Sequence, residues 1–416
     1  MDHKIIIVLV AILLTCMSIS CVSMPSSGGR AAPVLLDDKI IIVTMDEQVV
    51  AVDQNTGNDL DIQPYQIPYL EKELLKGVYG TPTVNEGIIY FATYNGEIYA
   101  TSIYDGSIIL NGDRFINRKI IGAPLFHNGN LFVATASEIG KNQNKDGKLY
   151  SYSIEKEQGK NTLLDINFNE NWEIEVDSEI WSSPTYWNDD IVITTLAGTI
   201  YSFISNSGEE NWHINVGSTI TSTPLIYENV LYVGAYDGVV YAVDLLTGDI
   251  KWKQNTSAKN WYWSTPTYYK DLVLAASLDG RIYALEMRSG KEVWKYPTDD
   301  SYGEIIGTPL IIDGFLVWAA KDEIYSADIS SLDAPKGNSE VCDIGKDVIS
   351  TLSYNDNGSI FFTVSDHTIR TLEINKGDLR IDWKPYRTGE YKKKDINDKG
   401  SDGGWNPTND KNLSRC

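Results

Sequence analysis

The sequence is poor in cysteine and in positive charge. Its 416 residues include 35 Lys and Arg against 57 Asp and Glu, which gives a formal net charge of −22. A chain this acidic repels nucleic-acid phosphates, so we expect no nucleic-acid binding. The four cysteines are Cys16, Cys21, Cys342 and Cys416. Two of them lie in the N-terminal apolar segment, which leaves too few for a disulfide framework, and a Cys342–Cys416 bridge stays open.

The motifs of common catalytic and metal sites are also missing. The histidines are His3, His127, His213 and His367, and none of them lies at metal-ligand spacing from another. No Gly-x-Ser-x-Gly elbow and no phosphate-binding loop occurs. Residues 142–147 resemble half of a calcium loop, but Ser153 stands where the acidic closing ligand belongs. From the residues alone we predict neither catalytic residues nor a metal site.

Residues 1–21 are predicted to form an export signal. An unbroken apolar run from Ile5 to Leu14 follows Lys4, and a run this short is typical of a signal rather than of a spanning helix. Ser18-Ile19-Ser20-Cys21 resembles a bacterial lipobox, which predicts lipid attachment at Cys21 and anchoring at a membrane surface. Plain secretion and an uncleaved anchor are the alternatives. Residues 22–32 then form a predicted flexible tether.

An internal repeat fills residues 33–385. Its eight units start at Pro33, Pro82, Pro124, Pro184, Pro224, Pro266, Pro309 and Leu352. Each unit holds three or four short alternating apolar runs separated by turn residues such as Asp237-Gly238. Four strands per unit at this period predict an all-β fold, an eight-bladed β-propeller of four-stranded antiparallel blades. Seven blades remain possible if the first unit packs irregularly, and how the ring closes stays open.

Some segments depart from the repeat. The polar insertions Ser137–Lys145 and Glu155–Glu170 are predicted to be longer loops, and Ile62–Lys76 is an insertion with a short helical-looking run at residues 71–75. Insertions in a propeller are expected at the rims or faces of the blades. Residues 386–416 are rich in Asp, Gly, Asn and Lys, and we predict a disordered polar tail.

The run Ala242-x-Asp244-x-x-Thr247-Gly248-x-x-x-Trp252 resembles the tryptophan-docking repeat of pyrroloquinoline-quinone-type (PQQ-type) propellers. The resemblance implies that the Thr-Gly pair turns the chain between the third and fourth strands and that the tryptophan packs against the neighbouring blade. Tryptophans matching Trp252 are Trp172, Trp212, Trp294 and Trp383. Asp61 and Leu110 replace the tryptophan in the first two units.

The family resembled has two branches. One contains quinoprotein dehydrogenases, which use PQQ with calcium to oxidise alcohols or sugars, and many carry adjacent cysteines over the quinone. The other contains lipoproteins such as the propeller component of the outer-membrane barrel-assembly machine, which bind no quinone and act through protein contacts. This sequence has no Cys-Cys pair.

The second branch is therefore favoured. We expect a non-enzymatic, membrane-anchored envelope scaffold with a monomeric body, no cofactor, and an envelope protein or membrane complex as partner. It would bind that partner through the funnel-shaped face of the propeller, around the central channel, and through its long loops. The alternatives are a PQQ-dependent dehydrogenase holding PQQ and calcium, or a degenerate relative that binds a small ligand, and a surface glycan-binding module.

The candidate ligand or partner surface is aromatic. Trp181 and Trp263 lie three residues before the proline of their units, and Tyr79 takes the same place in its own unit. Trp261 and Tyr262 adjoin Trp263. Innermost strands are predicted to begin there, so these aromatic faces would surround the mouth of the central channel. Packing between blades is the alternative, favoured by Ile121, Ile306 and Ile349 at the same place in other units.

Overall fold

A computed structural model describes most of the repeat region. The described residues are 31–36, 39–43, 48–55, 65–66, 77–103, 108–140, 145–158, 164–298, 301–335, 340–365, 368–381 and 386–387. They form 33 β-strands, and no helix occurs among them. None of these residues belongs to a helix long and apolar enough to cross a bilayer.

The first four blades follow the chain. Blade 1 contains β1 (Val34–Leu36), β2 (Lys39–Val43), β3 (Gln48–Asp53) and β4 (Tyr65–Gln66). Blade 2 contains β5 (Thr83–Asn85), β6 (Ile88–Ala92), β7 (Glu97–Ser102) and β8 (Ile108–Phe115). Blade 3 contains β9 (Leu125–His127), β10 (Asn130–Thr135), β11 (Gly147–Gln158) and β12 (Leu164–Val176). Blade 4 contains β13 (Thr185–Trp187), β14 (Asp190–Thr194), β15 (Thr199–Ile204) and β16 (Glu210–Asn215).

The last four blades repeat the pattern. Blade 5 contains β17 (Leu225–Tyr227), β18 (Val230–Gly234), β19 (Val239–Asp244) and β20 (Ile250–Asn255). Blade 6 contains β21 (Thr267–Tyr269), β22 (Leu272–Ala276), β23 (Ile282–Glu286) and β24 (Glu292–Tyr296). Blade 7 contains β25 (Leu310–Ile312), β26 (Phe315–Ala320), β27 (Glu323–Asp328) and β28 (Glu340–Asp343). Blade 8 contains β29 (Ser353–Tyr354), β30 (Ser359–Thr363), β31 (Thr368–Asn375), β32 (Asp378–Ile381) and β33 (Tyr386–Arg387).

Each blade is an antiparallel meander of four strands in which consecutive strands pair, and in blade 8 the short β33 also pairs with β31. This confirms the predicted all-β fold and the eight blades. The middle strands of the blades are the most apolar, and their side chains pack into the gaps between blades. Val233 and Ile193, for example, are fully buried. The core is therefore a ring of interblade layers rather than a single centre.

Four docking tryptophans lie between blades as the family resemblance implies. The indole N–H of Trp212 donates to the carbonyl of Leu245 in the next blade at 3.0 Å. The equivalent bonds run from Trp172 to Ser205, from Trp252 to Met287 and from Trp294 to Leu332. Trp383 lies outside the described residues.

Blades 2 and 3 are joined in a different way. Their strands form one eight-stranded sheet, because β12 pairs parallel with β8 through Asp165 and Leu110. Leu110 stands where the docking tryptophan is missing, so backbone pairing connects the two outer edges there. The predicted loop at Glu155–Glu170 is wrong for most of its length, since β11 and β12 extend through it as a long hairpin. Buried Ile166 and Phe168 explain the extension, because they pack the hairpin onto Tyr90 of blade 2.

Among the described strands, the ring closes without exchange between the chain ends. All paired strands of blade 1 come from the N-terminal side and all those of blade 8 from the C-terminal side. The two blades meet through apolar packing of Ile40 and Val52 against Phe361. The Ser353 hydroxyl also donates to the Pro33 carbonyl at 2.7 Å, and the Asn355 amide donates to Gln54 at 3.0 Å.

Several predictions fall outside the described residues. These are the export signal with Cys21, the tether up to residue 30, most of Ile62–Lys76, residues 141–144 of the Ser137–Lys145 insertion, and residues 388–416 of the tail. Cys342 is buried and forms a disulfide. The other three cysteines, including Cys416 of the bridge left open above, lie outside the described residues.

Candidate functional site

One mouth of the central channel holds a small pocket, which we call the funnel pocket. It has a volume of about 230 Å³ and is formed where the outer strand of each blade leads into the inner strand of the next. The residue three positions before the proline (or before Leu352 in the last unit) lines it in seven successive blades: Tyr79, Ile121, Trp181, Thr221, Trp263, Ile306 and Ile349. A single repeat position therefore contributes one side chain to the wall in each of these blades.

Hydroxyl groups tie neighbouring blades together around this mouth. The residue before each proline is Ser or Thr in several units, and its oxygen accepts a backbone N–H from the preceding blade. Ser183 accepts from Ala123 at 2.9 Å, and Thr223 accepts from Ser183 at 2.9 Å. Within blade 4, the Ser182 hydroxyl donates to the Thr194 carbonyl at 3.2 Å. These bonds hold the aromatic side chains of the pocket on a fixed frame.

Two aromatic pairs stand in the pocket. Trp181 and Trp263 meet edge to face, with ring centroids 6.1 Å apart, across the small Thr221 of the blade between them. Tyr79 and Tyr94 form the other pair, with centroids 5.5 Å apart. Burial raises the pKa of Tyr94, and the nearby Tyr79 and Glu179 raise it further. Tyr94 is therefore a neutral hydroxyl across the physiological pH range.

Two polar atoms of the pocket are buried and have no hydrogen-bond partner within the described structure. They are the Trp181 Nε1 donor and the Thr221 hydroxyl. Thr221 is 7 % exposed. A buried donor without an acceptor is costly, so such a pair marks a place where a bound polar atom would be stabilised.

Of the five aromatic residues predicted from sequence, Tyr79, Trp181 and Trp263 line the pocket. The other two do not lie among its lining residues. Tyr262 is 1 % exposed and packs in the interblade core, while Trp261 stacks on Tyr236 with centroids 4.2 Å apart. Neighbours on an extended segment point in opposite directions, so Tyr262 enters the interblade core while Trp263 faces the pocket; the stacking of Trp261 on Tyr236 is a separate contact.

The isoleucines that sequence analysis assigned to interblade packing also face the pocket. Ile121, Ile306 and Ile349 occupy the same repeat position as the two tryptophans. The signal that identifies them was present in the sequence, because their distance from the start of each unit is the same.

The funnel pocket does not fit PQQ with calcium. PQQ is a polycarboxylate, and calcium requires several converging oxygen ligands, usually with carboxylates among them. The lining given by the described chain contains hydroxyls, aromatic rings and isoleucines, with neither a carboxylate nor a cationic side chain. Nor do three or more His, Cys, Asp or Glu side chains come together for metal binding in that part of the chain.

Comparison with known families decides the lineage. The model of the family described as outer membrane protein assembly factor BamB matches residues 46–163 and 162–344. The chain belongs to this family. The BamB-family match spans most of the propeller, from blade 1 to the outer strand of blade 7. No curated protein sequence matches significantly.

Three solved structures share the fold of this BamB-family propeller. BamB from Moraxella catarrhalis is 15 % identical with a TM-score of 0.64, covering 83 % of this chain and 94 % of that one. The quinohemoprotein alcohol dehydrogenase ADHIIG from Pseudomonas putida HK5 is 13 % identical with a TM-score of 0.61, covering 82 % and 70 %. The computationally designed Ika8 protein is 16 % identical with a TM-score of 0.59, covering 84 % and 98 %. An enzyme, an assembly factor and a designed protein on one fold show that fold alone does not assign function.

Proposed function

We propose that this BamB-family propeller is a non-enzymatic scaffold of the bacterial cell envelope that binds a protein or membrane complex. The observation that carries the proposal is the family match over residues 46–344. The chemistry of the funnel pocket supports it, because a small uncharged pocket suits contact with a partner side chain better than it suits a polycarboxylate cofactor. No cofactor enters the proposal.

The anchor of the scaffold is a lipid on Cys21. The lipobox-like Ser18-Ile19-Ser20-Cys21 supports it, and a lipid there would hold the propeller on the outer side of a membrane through residues 22–32. Metabolic labelling with radioactive palmitate tests this step. We expect label on the full-length chain and none on Cys21→Ser, with Cys16→Ser as the matched control that keeps the label.

Co-purification tests the scaffold itself. The full-length chain is cross-linked in the membranes of its host, extracted in mild detergent and separated by size. We expect it to move with one defined membrane complex, in a fixed ratio to a protein of that complex. A chain that stays a free monomer after cross-linking would contradict the proposal.

A small neutral ligand in the funnel pocket is the second candidate function. The unpartnered Trp181 Nε1 and Thr221 hydroxyl beside two indole faces favour it, since glycans are bound by stacking on aromatic rings and by such polar groups. A glycan array would show binding that is lost in Trp263→Ala and kept in Trp261→Ala, whose ring stacks on Tyr236 outside the pocket lining. Equal binding by both variants would exclude the funnel pocket as the glycan site.

A further inference from the structure

The face of the propeller opposite the funnel pocket carries exposed aromatic side chains. The turns that join the first to the second strand and the third to the fourth strand of each blade gather there, and we call this surface the hairpin face. Tyr186 of blade 4 is 50 % exposed and Tyr268 of blade 6 is 45 % exposed. Leu246, at the last turn of blade 5, is 66 % exposed. Exposed large apolar groups on one face of a folded domain indicate an interaction surface.

Contacts between blades hold these rings in a row. His127 of blade 3 stacks on Tyr186 of blade 4 with centroids 4.2 Å apart, and Tyr227 of blade 5 lies 4.6 Å from Tyr268 of blade 6. Between the two pairs, the Trp187 indole N–H donates to the Glu228 carbonyl at 3.0 Å. The aromatic row thus crosses four blades on a fixed backbone, so little side-chain freedom is lost when a partner covers it.

Carboxylates flank the row in the first turn of three successive blades. The first turns of blades 4, 5 and 6 share one shape, because Asn188, Glu228 and Lys270 all have φ between 52° and 54°. Each turn carries an exposed carboxylate, at Asp189, Glu228 or Asp271. The Asn128 amide contacts Asp189 at 3.2 Å. Within the part of the chain that the structure describes, none of these three carboxylates forms an ion pair.

Two cations of this face are engaged, whereas Arg288 and Lys291 lie exposed at the last turn of blade 6. Lys270 donates to the Ser330 carbonyl at 2.9 Å and lies 4.8 Å from the Tyr269 ring. Lys251 is bonded to Asp244 at 3.1 Å. The aromatic row therefore faces outward with negative charge beside it and no described cation bound to its three turn carboxylates.

We propose that the hairpin face of blades 4–6 docks a segment of a partner protein that is rich in Lys or Arg and carries apolar side chains. Tyrosine faces attract such cations, the turn carboxylates pair with them, and the exposed Leu246 adds apolar surface to the same face. A second copy of this chain is disfavoured because it carries the same excess of 22 negative charges. The inference rests on the proposed scaffold function and names the surface and the chemistry of its partner.

The test is a fluorescence titration of the full-length chain in detergent with three labelled peptides of about twelve residues, in which Arg, Glu or Ser alternates with Gly and Leu. We expect only the Arg peptide to bind, and its affinity to fall as salt rises. Tyr186→Ala, Tyr268→Ala and the isosteric Glu228→Gln should each weaken it, by about tenfold for each tyrosine. Phe115→Ala, an exposed aromatic on the outer strand of blade 2, and Glu175→Gln on the outer strand of blade 3 should leave binding unchanged.

Two results would overturn the inference: no binding of the Arg peptide, or the same loss in the outer-strand controls as in the hairpin-face variants. Thermal melting of each variant separates loss of binding from loss of fold. The membrane cross-linking experiment tests the scaffold function separately. A complex that persists in the Tyr186→Ala/Tyr268→Ala double variant leaves the scaffold standing and contradicts the hairpin face. A wild-type chain without any complex contradicts the scaffold.

Discussion

Gly248 of blade 5 lies directly against the indole ring of Trp212 of blade 4. A Cβ added to Gly248 would stand 2.8 Å from ring atom Cδ2, and the same indole donates its N–H to Leu245 three residues earlier. Gly208 meets Trp172 and Gly290 meets Trp252 in the same way. In these three cases the tryptophan of one unit packs against the motif glycine of the next unit, so the two motif residues contact different blades.

Gly248→Ala should therefore destabilise the propeller by about 2 to 4 kcal/mol. Its φ of +76° disfavours any side chain, and the added methyl displaces the indole. Gly217→Ala is the matched control, since Gly217 has φ +81° with open space around its Cβ, and it should lose only about 1 kcal/mol. Urea unfolding measures both. Equal losses would show that the indole contact contributes nothing.

The docking of the tryptophans was predicted from the sequence. Thr247, Gly248 and Trp252 lie close together in the chain, so the turn and the packing are encoded locally and repeat from unit to unit. The β8–β12 pairing was not predicted because the two strands are far apart in sequence. Ile166 and Phe168, which pack the β11–β12 hairpin against blade 2, stand among polar residues and gave no clear apolar pattern.

Only part of the funnel pocket was predicted from the sequence. The position of Tyr79, Trp181 and Trp263 in the repeat located the channel mouth, but it did not show which side of the extended segment faces the channel. Tyr262 was therefore grouped with the channel mouth, whereas its side chain lies in the interblade core. The row formed by Tyr186, Tyr227 and Tyr268 was not predicted, because exposure of an inner-strand residue depends on how far neighbouring blades cover it.

Breaking the buried ion pair between Arg118 and Asp146 should be costly. The guanidinium is almost fully buried, lies 3.2 Å from Asp146 Oδ2, and donates to the Asp146 carbonyl at 2.7 Å and to Thr135 at 3.0 Å. Asp146→Asn leaves that charge without its counterion, so we expect a loss of about 3 to 5 kcal/mol in urea unfolding.

The surface pair of Lys148 and Glu173 is the control for this change. Its two side chains are 22 % and 46 % exposed, and Lys148→Gln should cost less than about 1 kcal/mol. A similar small loss for Asp146→Asn would mean that Arg118 is solvated and that the pair is not buried in solution.

Ring closure should depend on Phe361. Its side chain is fully buried between blade 8 and blade 1, in contact with the cluster of Ile40 and Val52. Phe361→Ala should lower the free energy of unfolding by about 3 to 5 kcal/mol, whereas Phe115→Ala, with its ring 58 % exposed, should have almost no effect. Comparable effects of the two changes would contradict closure by this packing.

Stability should fall in alkali as buried tyrosines ionise. Burial, with smaller effects of nearby carboxylates, raises the pKa of Tyr90, Tyr150 and Tyr232 to about 12. In the unfolded chain these groups ionise near pH 10, so their stabilising contribution is complete below about pH 10 and is lost as the pH rises towards 12.

Tyrosinate absorbance checks this directly. We expect one class of tyrosines to titrate near pH 10 and a second class to appear only as the protein unfolds, with Tyr90→Phe removing part of the second class. A single titration near pH 10 without unfolding would contradict the buried state of these rings.

The non-enzymatic account is tested most directly by calorimetric titration of the full-length chain with PQQ in the presence of calcium. Because the described funnel pocket offers neither a carboxylate nor a cation to hold this group, we expect no heat beyond dilution and no change in quinone absorbance. Stoichiometric, calcium-dependent uptake of PQQ would contradict the account and would make this BamB-family chain a quinoprotein.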